Sequence, residues 1–263
     1  QFRTDDSFTV YEQAGPHVWF LILNAKEGPF ASKEIRQAAN YAINKTALVE
    51  SILQGTAEVA AGPTPPAFAW AYNDSLQPYP YDPEKAKQML ADAGYDGSPV
   101  TFYVTEGGSG MLDPIAMGTA IQADLEAVGM DVSIETYEWN TFLGKVNPGL
   151  EGKADMAEMA WMINDPDTLP FLALRTEAFP DKGGFNSGYY SNPEVDALLE
   201  EARRATDQGK RAELYKKMQE IVQEDAPWVF VANWVQNAVT SDRVENFALE
   251  PSFFLLLHDV VKN

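Results

Sequence analysis

The chain has 263 residues, enough for one large domain or two small ones with a sizeable core. Its 39 acidic and 19 basic residues give a formal charge of −20, which repels nucleic-acid phosphates and anionic membrane surfaces. The absence of cysteine excludes disulfides, thiolate metal sites and cysteine nucleophiles. Only His17 and His258 are histidines, which excludes a zinc site built mainly on imidazoles. Carboxylate sites for calcium or magnesium stay open.

The sequence contains no recognisable membrane-spanning or secretory segment. No run approaches the roughly 18–20 apolar residues that a spanning helix needs. The opening QFRTDDSFTV carries charges where a signal peptide has its apolar region. We therefore expect either a cytosolic protein or one whose beginning is missing from this sequence.

The first part of the chain predicts a buried strand and two helices. The run HVWFLILN (17–24) is continuously apolar with β-branched and aromatic members, which is typical of a buried strand. Ser32 is placed to cap a helix, and a second helix begins near Thr46 and ends at Gly55. Residues 62–83 hold six prolines and five aromatics, which predicts an extended, ordered surface segment.

The middle of the chain predicts a pair of parallel strands. Asp82, followed by proline, begins a helix that ends at Gly94. A strand at 99–105, a mostly helical stretch at 111–129 and a second strand at 130–139 then follow. This strand–helix–strand spacing favours a right-handed crossover between parallel strands.

The remaining elements complete an α/β pattern with no internal repeat. Asn192 caps one of the two long amphipathic helices. In chain order the elements are a short helix around Phe142, a strand candidate at 154–162, helices within 191–207 and 207–227, and short strands at 228–233 and 236–241.

The acidic segment NDPDT (164–168) follows a predicted strand directly, where open α/β sheets present ligand-binding groups. Asp165 or Asp167 is suited to bind a ligand ammonium through charge-assisted hydrogen bonds. The same residues are typical of turns and helix caps, and the residue types alone favour capping. A calcium loop is weaker still, because Pro166 breaks the alternating ligand spacing.

No enzyme class is supported by the residues alone. EGGSGM (106–111) joins a strand to a helix, but it lacks the lysine and serine or threonine of a phosphate-binding loop, so a simple turn is favoured. Neither histidine has a recognisable nucleophile as partner. Among 39 acidic residues, none stand out as a pair for glycoside hydrolysis.

Aromatic residues near predicted strand ends are the other indication of a ligand site. They are Trp139, Trp161, Phe185, Tyr189 and Tyr190. Such residues line ligand clefts through stacking and burial, although for the two tryptophans a place in the core is an equal alternative.

Five segments, taken in order over residues 18–232, resemble the peptide-type solute-binding proteins of ABC importers, the group with dipeptide, oligopeptide and nickel binders. The segments are IRQAANYAINKTALVESILQGTAEVAAGPTPP, YDPEKAKQMLADAGY, IETYEWNTFLGKV, AWMINDPDTL and GYYSNPEVDALLEEARRATDQGKRAELYKKMQEIVQEDAP. The resemblance implies a periplasmic-binding-protein-like lobe. Its sheet would be mixed and partly parallel, flanked by helices, with remnant strands of a missing first lobe.

The resemblance also implies a domain organisation, because mature members of the family are about twice this length. Residues 1–16 would be a remnant of the first lobe, 17–226 the second lobe, and 227–263 a segment that returns to complete the first lobe. On this basis we expect residues 228–239 to be short of partners. The run FFLLL (253–257) is expected to be exposed unless it packs on this chain or a neighbour.

Binding residues are carried over by position. In dipeptide-type relatives a basic residue after a strand–Glu-Trp motif binds the peptide carboxylate, and this position is Lys145 here. An acidic residue after a strand-ending tryptophan binds the ammonium. Asp165 is nearest to that position, and Asp167 matches the recurring acid after proline. The full candidate set is Trp139, Lys145, Trp161, Asn164, Asp165, Asp167, Phe185 and Tyr189.

Two departures from the family pattern weaken a plain dipeptide as ligand. The acidic loop is about two residues shorter, and lysine replaces an arginine whose planar fork binds a carboxylate through two hydrogen bonds. An amino-acid derivative, an opine, a longer peptide or a sugar stays open.

The function that the resemblance implies is transport without catalysis. A solute, peptide-like by preference, would be held between two hinged lobes in the periplasm or outside the cell and delivered to a membrane permease. No cofactor, metal, nucleic acid or membrane span of its own is expected. A chemosensory or regulatory ligand-binding module is the alternative, and a hydrolase ranks below it.

Overall fold

The computed structural model of the chain describes residues 2–263. Within this range the strands are β1 (Phe8–Leu23), β2 (Ala57–Val59), β3 (Pro99–Thr105), β4 (Asp131–Tyr137), β5 (Met156–Met162), β6 (Trp228–Ser241), β7 (Val244–Glu245) and β8 (Val261–Lys262). The α-helices are α1 (Lys33–Ala42), α2 (Lys45–Ala47), α3 (Pro83–Asp92), α4 (Pro114–Ala127), α5 (Trp139–Val146), α6 (Thr168–Ala173), α7 (Pro193–Arg204) and α8 (Gln208–Asp225).

Six of these strands form one mixed sheet in the order β2-β6-β1-β5-β3-β4. Strand β3 runs parallel to β4 and β5, while β1 is antiparallel to both β5 and β6. The predicted parallel pair around α4 is thereby confirmed, and so is the mixed α/β class. Strands β7 and β8 form a separate two-stranded sheet.

Helices cover both faces of the sheet, and each face has its own apolar core. Trp19 and Leu21 of β1 pack with α1, α3 and α4 on one face. Phe20 and Ile22 pack with α5, α6, α7 and α8 on the other. Because successive side chains of a strand point to opposite faces, a strand covered on both sides must be apolar at every position. This explains the continuous apolar run within 17–24.

The predicted helix starts are confirmed by their capping bonds. The side chain of Ser32 accepts a hydrogen bond from the backbone N–H of Ile35 at 3.3 Å, at the start of α1. Asp82 caps α3 in the same way, and Asn192 caps α7. Each bond satisfies one of the donors that the first turn of a helix leaves unpaired.

Several elements differ from the expectations: β1 begins at Phe8 rather than at residue 17, and β2, β7 and β8 were not predicted. The predicted second helix is only three residues of α2 followed by a π-helical turn, Leu48–Ile52. Helix α6 begins after Asp167, where the capping interpretation of the acidic segment expects a helix, but the Asp167 side chain makes no capping hydrogen bond. The two short strands at the end of the chain are one continuous strand, β6, because β1 supplies backbone partners over the same length.

Strands β1 and β6 continue beyond the six-stranded sheet as a two-stranded ribbon, formed by residues 8–14 and 235–241. The ladder shifts register between Ala14 and Val18, next to Gly15, where an added Cβ would lie 2.9 Å from the Trp234 carbonyl oxygen. Glycine at this position therefore permits the close approach of the two backbones.

The expectation for residues 228–239 is wrong, and the one for residues 253–257 is confirmed. Residues 228–239 are not short of partners, since β6 pairs with β1 from end to end and residues 228–232 are buried. The run 253–257 is exposed, with each side chain between 48% and 65% accessible. Within the described residues, no helix combines the length and apolar character needed to cross a membrane.

One buried charge should make stability depend on pH. Lys45 is 3% exposed, its Nζ donates to the Asn40 carbonyl at 2.8 Å, and burial lowers its pKa from 10.5 to about 7. Between these values the unfolded chain holds a proton that the folded protein has lost. The free energy of unfolding should therefore rise with pH through this window, by at most about 1.4 kcal/mol per pH unit from this group.

We expect Lys45→Met to flatten that rise, as measured by denaturant unfolding at about pH 6.5 and about pH 9.5. Lys87→Met on the surface of α3 is the matched control and should keep the wild-type slope. Equal slopes for wild type and Lys45→Met would contradict the assignment.

Candidate functional site

The parallel strands β3, β4 and β5 end at one edge of the sheet, which we call the carboxyl edge. The segments that follow them are the glycine-rich residues 106–113, helix α5, and the acidic residues 163–167. Ligand groups in open α/β sheets gather at such an edge. The ribbon leaves the sheet on the same side, because β1 is antiparallel and its N-terminal half lies beyond Met162.

The glycine-rich segment lies directly against Trp139. A Cβ added to Gly108, whose φ is +151°, would lie 2.3 Å from the indole ring. Trp139 in turn stacks on Phe142 with ring centroids 5.8 Å apart. The glycine is thus explained by close packing of a strand-to-helix connection, which agrees with the turn interpretation of this segment.

A buried acid, Glu158, hydrogen-bonds to the backbone just before this connection. Glu158 of β5 is fully buried, and its Oε1 accepts the backbone N–H of Thr105 at 2.8 Å. The backbone pairing of β3 with β5 ends at Tyr103, and the Glu158 side chain therefore takes the place of the next backbone hydrogen bond. Its Oε2 has no hydrogen-bond partner among the described residues, and burial raises the pKa of the carboxyl well above its usual value.

This acid gives a second stability prediction. The folded protein keeps the Glu158 proton at pH values where the unfolded chain has lost it, so stability should fall as pH rises above about 4.5. Glu158→Gln keeps an acceptor for the Thr105 N–H without the ionisable group. We therefore expect this variant to lack the decrease in the free energy of unfolding that the Glu158 carboxyl causes. Glu158→Met leaves the Thr105 N–H unpaired and should cost about 1–3 kcal/mol.

Denaturant unfolding of the three proteins across the acidic to neutral range checks both statements. A glutamine variant with the same pH slope as wild type, or a methionine variant as stable as the glutamine variant, would contradict them.

The end of β5 presents an open aromatic and apolar surface. The rings of Trp161 and Phe185 meet edge to face with centroids 5.5 Å apart. Phe185 is 39% exposed. Met162, which follows Trp161 in β5 and therefore faces the other side of the sheet, is 43% exposed. Asn164 follows and is also exposed. Apolar rings open to solvent beside polar groups are the usual components of a ligand cleft.

Asp167 is directed into the lobe rather than to solvent. It occupies the N-cap position of α6, yet its side chain makes no capping hydrogen bond. Its carboxylate accepts the Tyr215 hydroxyl at 3.4 Å and lies 3.4 Å from Arg203 Nε. Burial raises the pKa of this carboxyl, and Arg203 opposes the shift. These contacts tie α6 to α7 and α8.

Asp165 has a turn role and still reaches solvent. Its Oδ1 accepts the backbone N–H of Asp167 at 2.9 Å, which closes the turn before α6. Arg211 Nη2 lies 3.6 Å from the same oxygen. The Asp165 side chain is 48% exposed, so of the two acids this one is available to a solute.

Lys145 of α5 lies over the strands β3 and β4. Its Nζ is 4.5 Å from the centroid of the Tyr137 ring and 5.6 Å from that of Tyr103. These rings belong to β4 and β3, on the face that α5 covers. The cation is thereby directed at two aromatic rings, a favourable contact for an ammonium group.

Tyr189 does not join the other candidates. It packs on Phe179 with centroids 5.4 Å apart, and Lys26 Nζ lies 4.7 Å from its ring centre. Lys26 follows the C-terminal end of the antiparallel β1, which lies at the edge opposite the carboxyl edge. Tyr190 is buried, and its hydroxyl donates to Asp225 at 2.6 Å, so its role is structural.

Sequence reasoning missed Met162, Arg211 and Glu158. An acid inside the otherwise apolar strand MAEMAWM was a signal for Glu158. Nothing local distinguishes Arg211, which is an ordinary polar residue of an amphipathic helix until α8 packs beside the end of β5. Over residues 2–263, His, Asp and Glu side chains do not come together in threes as a metal site requires.

Comparisons with known proteins place this geometry in a family. The family model for bacterial extracellular solute-binding proteins, family 5 (middle), matches residues 1–182. Heme-binding protein A of Haemophilus influenzae is 36% identical over 95% of this chain and 45% of its own length.

Solved structures agree. HbpA2 from Haemophilus parasuis superimposes with a TM-score of 0.91 at 28% identity, over 100% of this chain and 51% of that one. The ABC transporter-associated periplasmic binding protein DppA from Helicobacter pylori, in complex with the peptide STSA, gives 0.81 at 30% identity, over 99% and 50%. The chain spans about half the length of these relatives, and it belongs to the bacterial extracellular solute-binding proteins of family 5.

Proposed function

We propose that this chain is one lobe of a solute-binding protein that serves an ABC importer, and that it captures a peptide or amino-acid derivative for a membrane permease. The observation that carries the proposal is the open carboxyl edge. Phe185, which contacts the half-buried Trp161, and Met162 on the opposite face of β5 present exposed apolar surface there, and the carboxylate of Asp165 is half-exposed. In a monomeric lobe such a surface needs a ligand or a second lobe to cover it.

The ribbon supports a second lobe. It leaves the sheet beside the candidate site, with few buried side chains of its own. Two strands that cross between lobes at this point would let the lobes close over a solute, which is the hinge arrangement of periplasmic binding proteins. A relative that binds the peptide STSA is named as ABC transporter-associated and periplasmic, which supports the same partner and compartment here.

In this proposal the lobe boundary runs through the ribbon. Residues 17–226 form the lobe together with the first part of β6, because residues 228–233 pair with β1 inside the sheet. Residues 1–16 and the chain after the ribbon would belong to the other lobe. The exposed run 253–257 would then meet that lobe.

The proposed action is binding without bond making. The lobes close around the solute, the closed form docks on the permease, and reopening releases the solute. Binding energy comes from burying the solute against aromatic rings and from hydrogen bonds in a site sheltered from water. This lobe alone offers half of those contacts.

A thermal-shift screen of the protein with both lobes tests the proposal, using dipeptides, oligopeptides, amino-acid derivatives, opines, oligosaccharides and nickel complexes. A ligand at about one hundred times its dissociation constant should stabilise the protein by about 2.7 kcal/mol. We expect Trp161→Ala to weaken the bound solute about tenfold or more through the loss of ring contact. Tyr189→Ala, at the opposite edge, is the matched control and should leave affinity unchanged.

If no solute of the panel raises the melting temperature, the transport proposal is wrong. A hit that is indifferent to Trp161→Ala but lost with Tyr189→Ala would keep transport and move the site to the other edge.

A further inference from the structure

A pocket beside β2 contains an almost fully buried lysine in its wall. The pocket has a volume of about 410 Å³ and is lined by Lys45, Thr46, Val59 and residues 77–81. This volume is within the range of small-molecule sites. Strand β2 is at the end of the strand order opposite β4, and none of the candidate residues of the carboxyl edge lines the pocket. An inference drawn from it therefore goes beyond the proposed function.

The amine of Lys45 has no acidic partner. Its Nζ donates to the Asn40 carbonyl at 2.8 Å, and it makes no ion pair with any acid of residues 2–263. Asp124 approaches the preceding residue, but its carboxylate accepts the backbone N–H of Asn44 at 2.8 Å. Lys45 is also the only buried lysine in the described part of the chain. Its environment therefore disfavours the charged form of the amine.

An uncharged amine has a free lone pair and is a nucleophile, whereas an ammonium group is not. Burial lowers the pKa of Lys45 to about 7. At about pH 7.5, roughly three quarters of such amines are uncharged, compared with about 0.1% for a lysine with the ordinary pKa. Lysines that are desolvated in this way form Schiff bases with carbonyl compounds.

The walls of the pocket favour an uncharged, flat reactant. Residues 78–81 are Pro-Tyr-Pro-Tyr, and together with Val59 they supply apolar surface. The centre of the Tyr79 ring lies 5.7 Å from Lys45 Nζ. Within the described residues no charged side chain other than Lys45 lines the pocket, and the chain carries a formal charge of −20. These charges do not attract a phosphate or a carboxylate, whereas an aromatic ring packs well on proline and tyrosine.

We propose that Lys45 is a covalent capture site for small aromatic aldehydes, which it binds as an imine. The lone pair of Nζ attacks the carbonyl carbon, and a C=N double bond replaces the C=O bond. The carbonyl oxygen leaves as water, which carries away the two protons that the amine gives up. No electrons are gained or lost overall. The imine is uncharged, so it needs no acidic partner in the pocket.

Reductive labelling of the protein with both lobes tests this proposal. Benzaldehyde and cyanoborohydride at about pH 7.5 convert each imine into a stable benzylamine, and peptide mass mapping gives the rate at each lysine. We expect Lys45 to be labelled at least tenfold faster than Lys85, because far more of its amine is uncharged. Lys85 is the matched control, since it is exposed and its Nζ lies 3.7 Å from the centre of the Tyr41 ring, which contacts Tyr79.

A competitor separates binding in the pocket from simple reactivity. Benzyl alcohol has the same ring as benzaldehyde but no carbonyl group, so it occupies the pocket without reacting. It should slow the labelling of Lys45 and leave that of Lys85 unchanged.

Two variants at Val59 change the charge of the pocket without changing the lysine. Val59→Glu places an acid in the wall, which favours the ammonium form of Lys45 and should slow its labelling at least tenfold relative to Val59→Gln. A pH series on the wild type keeps the test decisive if a variant does not fold. The ratio of the Lys45 rate to the Lys85 rate should fall at least tenfold between about pH 7.5 and about pH 10, because Lys85 loses its proton in this range.

Labelling of Lys45 that is no faster than that of Lys85, a ratio that does not change with pH, or equal rates in the two Val59 variants would overturn the inference. Fast labelling that benzyl alcohol does not slow would also overturn it, because the aldehyde would then have no pocket. The solute screen has a separate readout, so any of these results would leave the transport proposal standing.

Discussion

Strand β1 is hydrogen-bonded on both sides, to β5 and to β6, and the rest of the structure depends on this double pairing. Its second half lies in the middle of the sheet, where residues 18–23 are buried on both faces. Its first half pairs only with β6 and leaves the sheet as the ribbon. One strand thus belongs both to the core and to the ribbon.

The direction of the strands decides where chemistry can gather. Because β3, β4 and β5 are parallel, the three segments that follow them meet at one edge, and the antiparallel β1 brings the ribbon to that same edge. The buried Glu158 connects this edge to the core through the Thr105 backbone. Gly108 then lets the connection lie against Trp139. Rigid packing under a site keeps its geometry ready for a ligand.

Two acidic residues at the carboxyl edge have basic partners. Asp167 is engaged by Arg203 and Tyr215, and Asp165 has Arg211 beside it. The chain carries a formal charge of −20, and Glu106 and Asp113 at this edge are exposed carboxylates without an ion-pair partner among the described residues. In the proposed function a solute at this edge would meet aromatic rings, the Asp165–Arg211 pair and exposed carboxylates.

The sequence by itself was sufficient for features that depend on neighbouring residues. Ser32, Asp82 and Asn192 cap helices because capping needs only a side chain within three residues of the N–H that it accepts. The apolar run of β1, the parallel β3–β4 pair and the family resemblance were also readable from local order and spacing. Tertiary structure alone decided the length of β1 and β6, since polar residues 8–14 become a strand only beside 235–241. It also turned Asp167 inward, placed Tyr189 at the opposite edge and brought Arg211 to Asp165, because each of these depends on contacts between segments that the chain folds together from far apart.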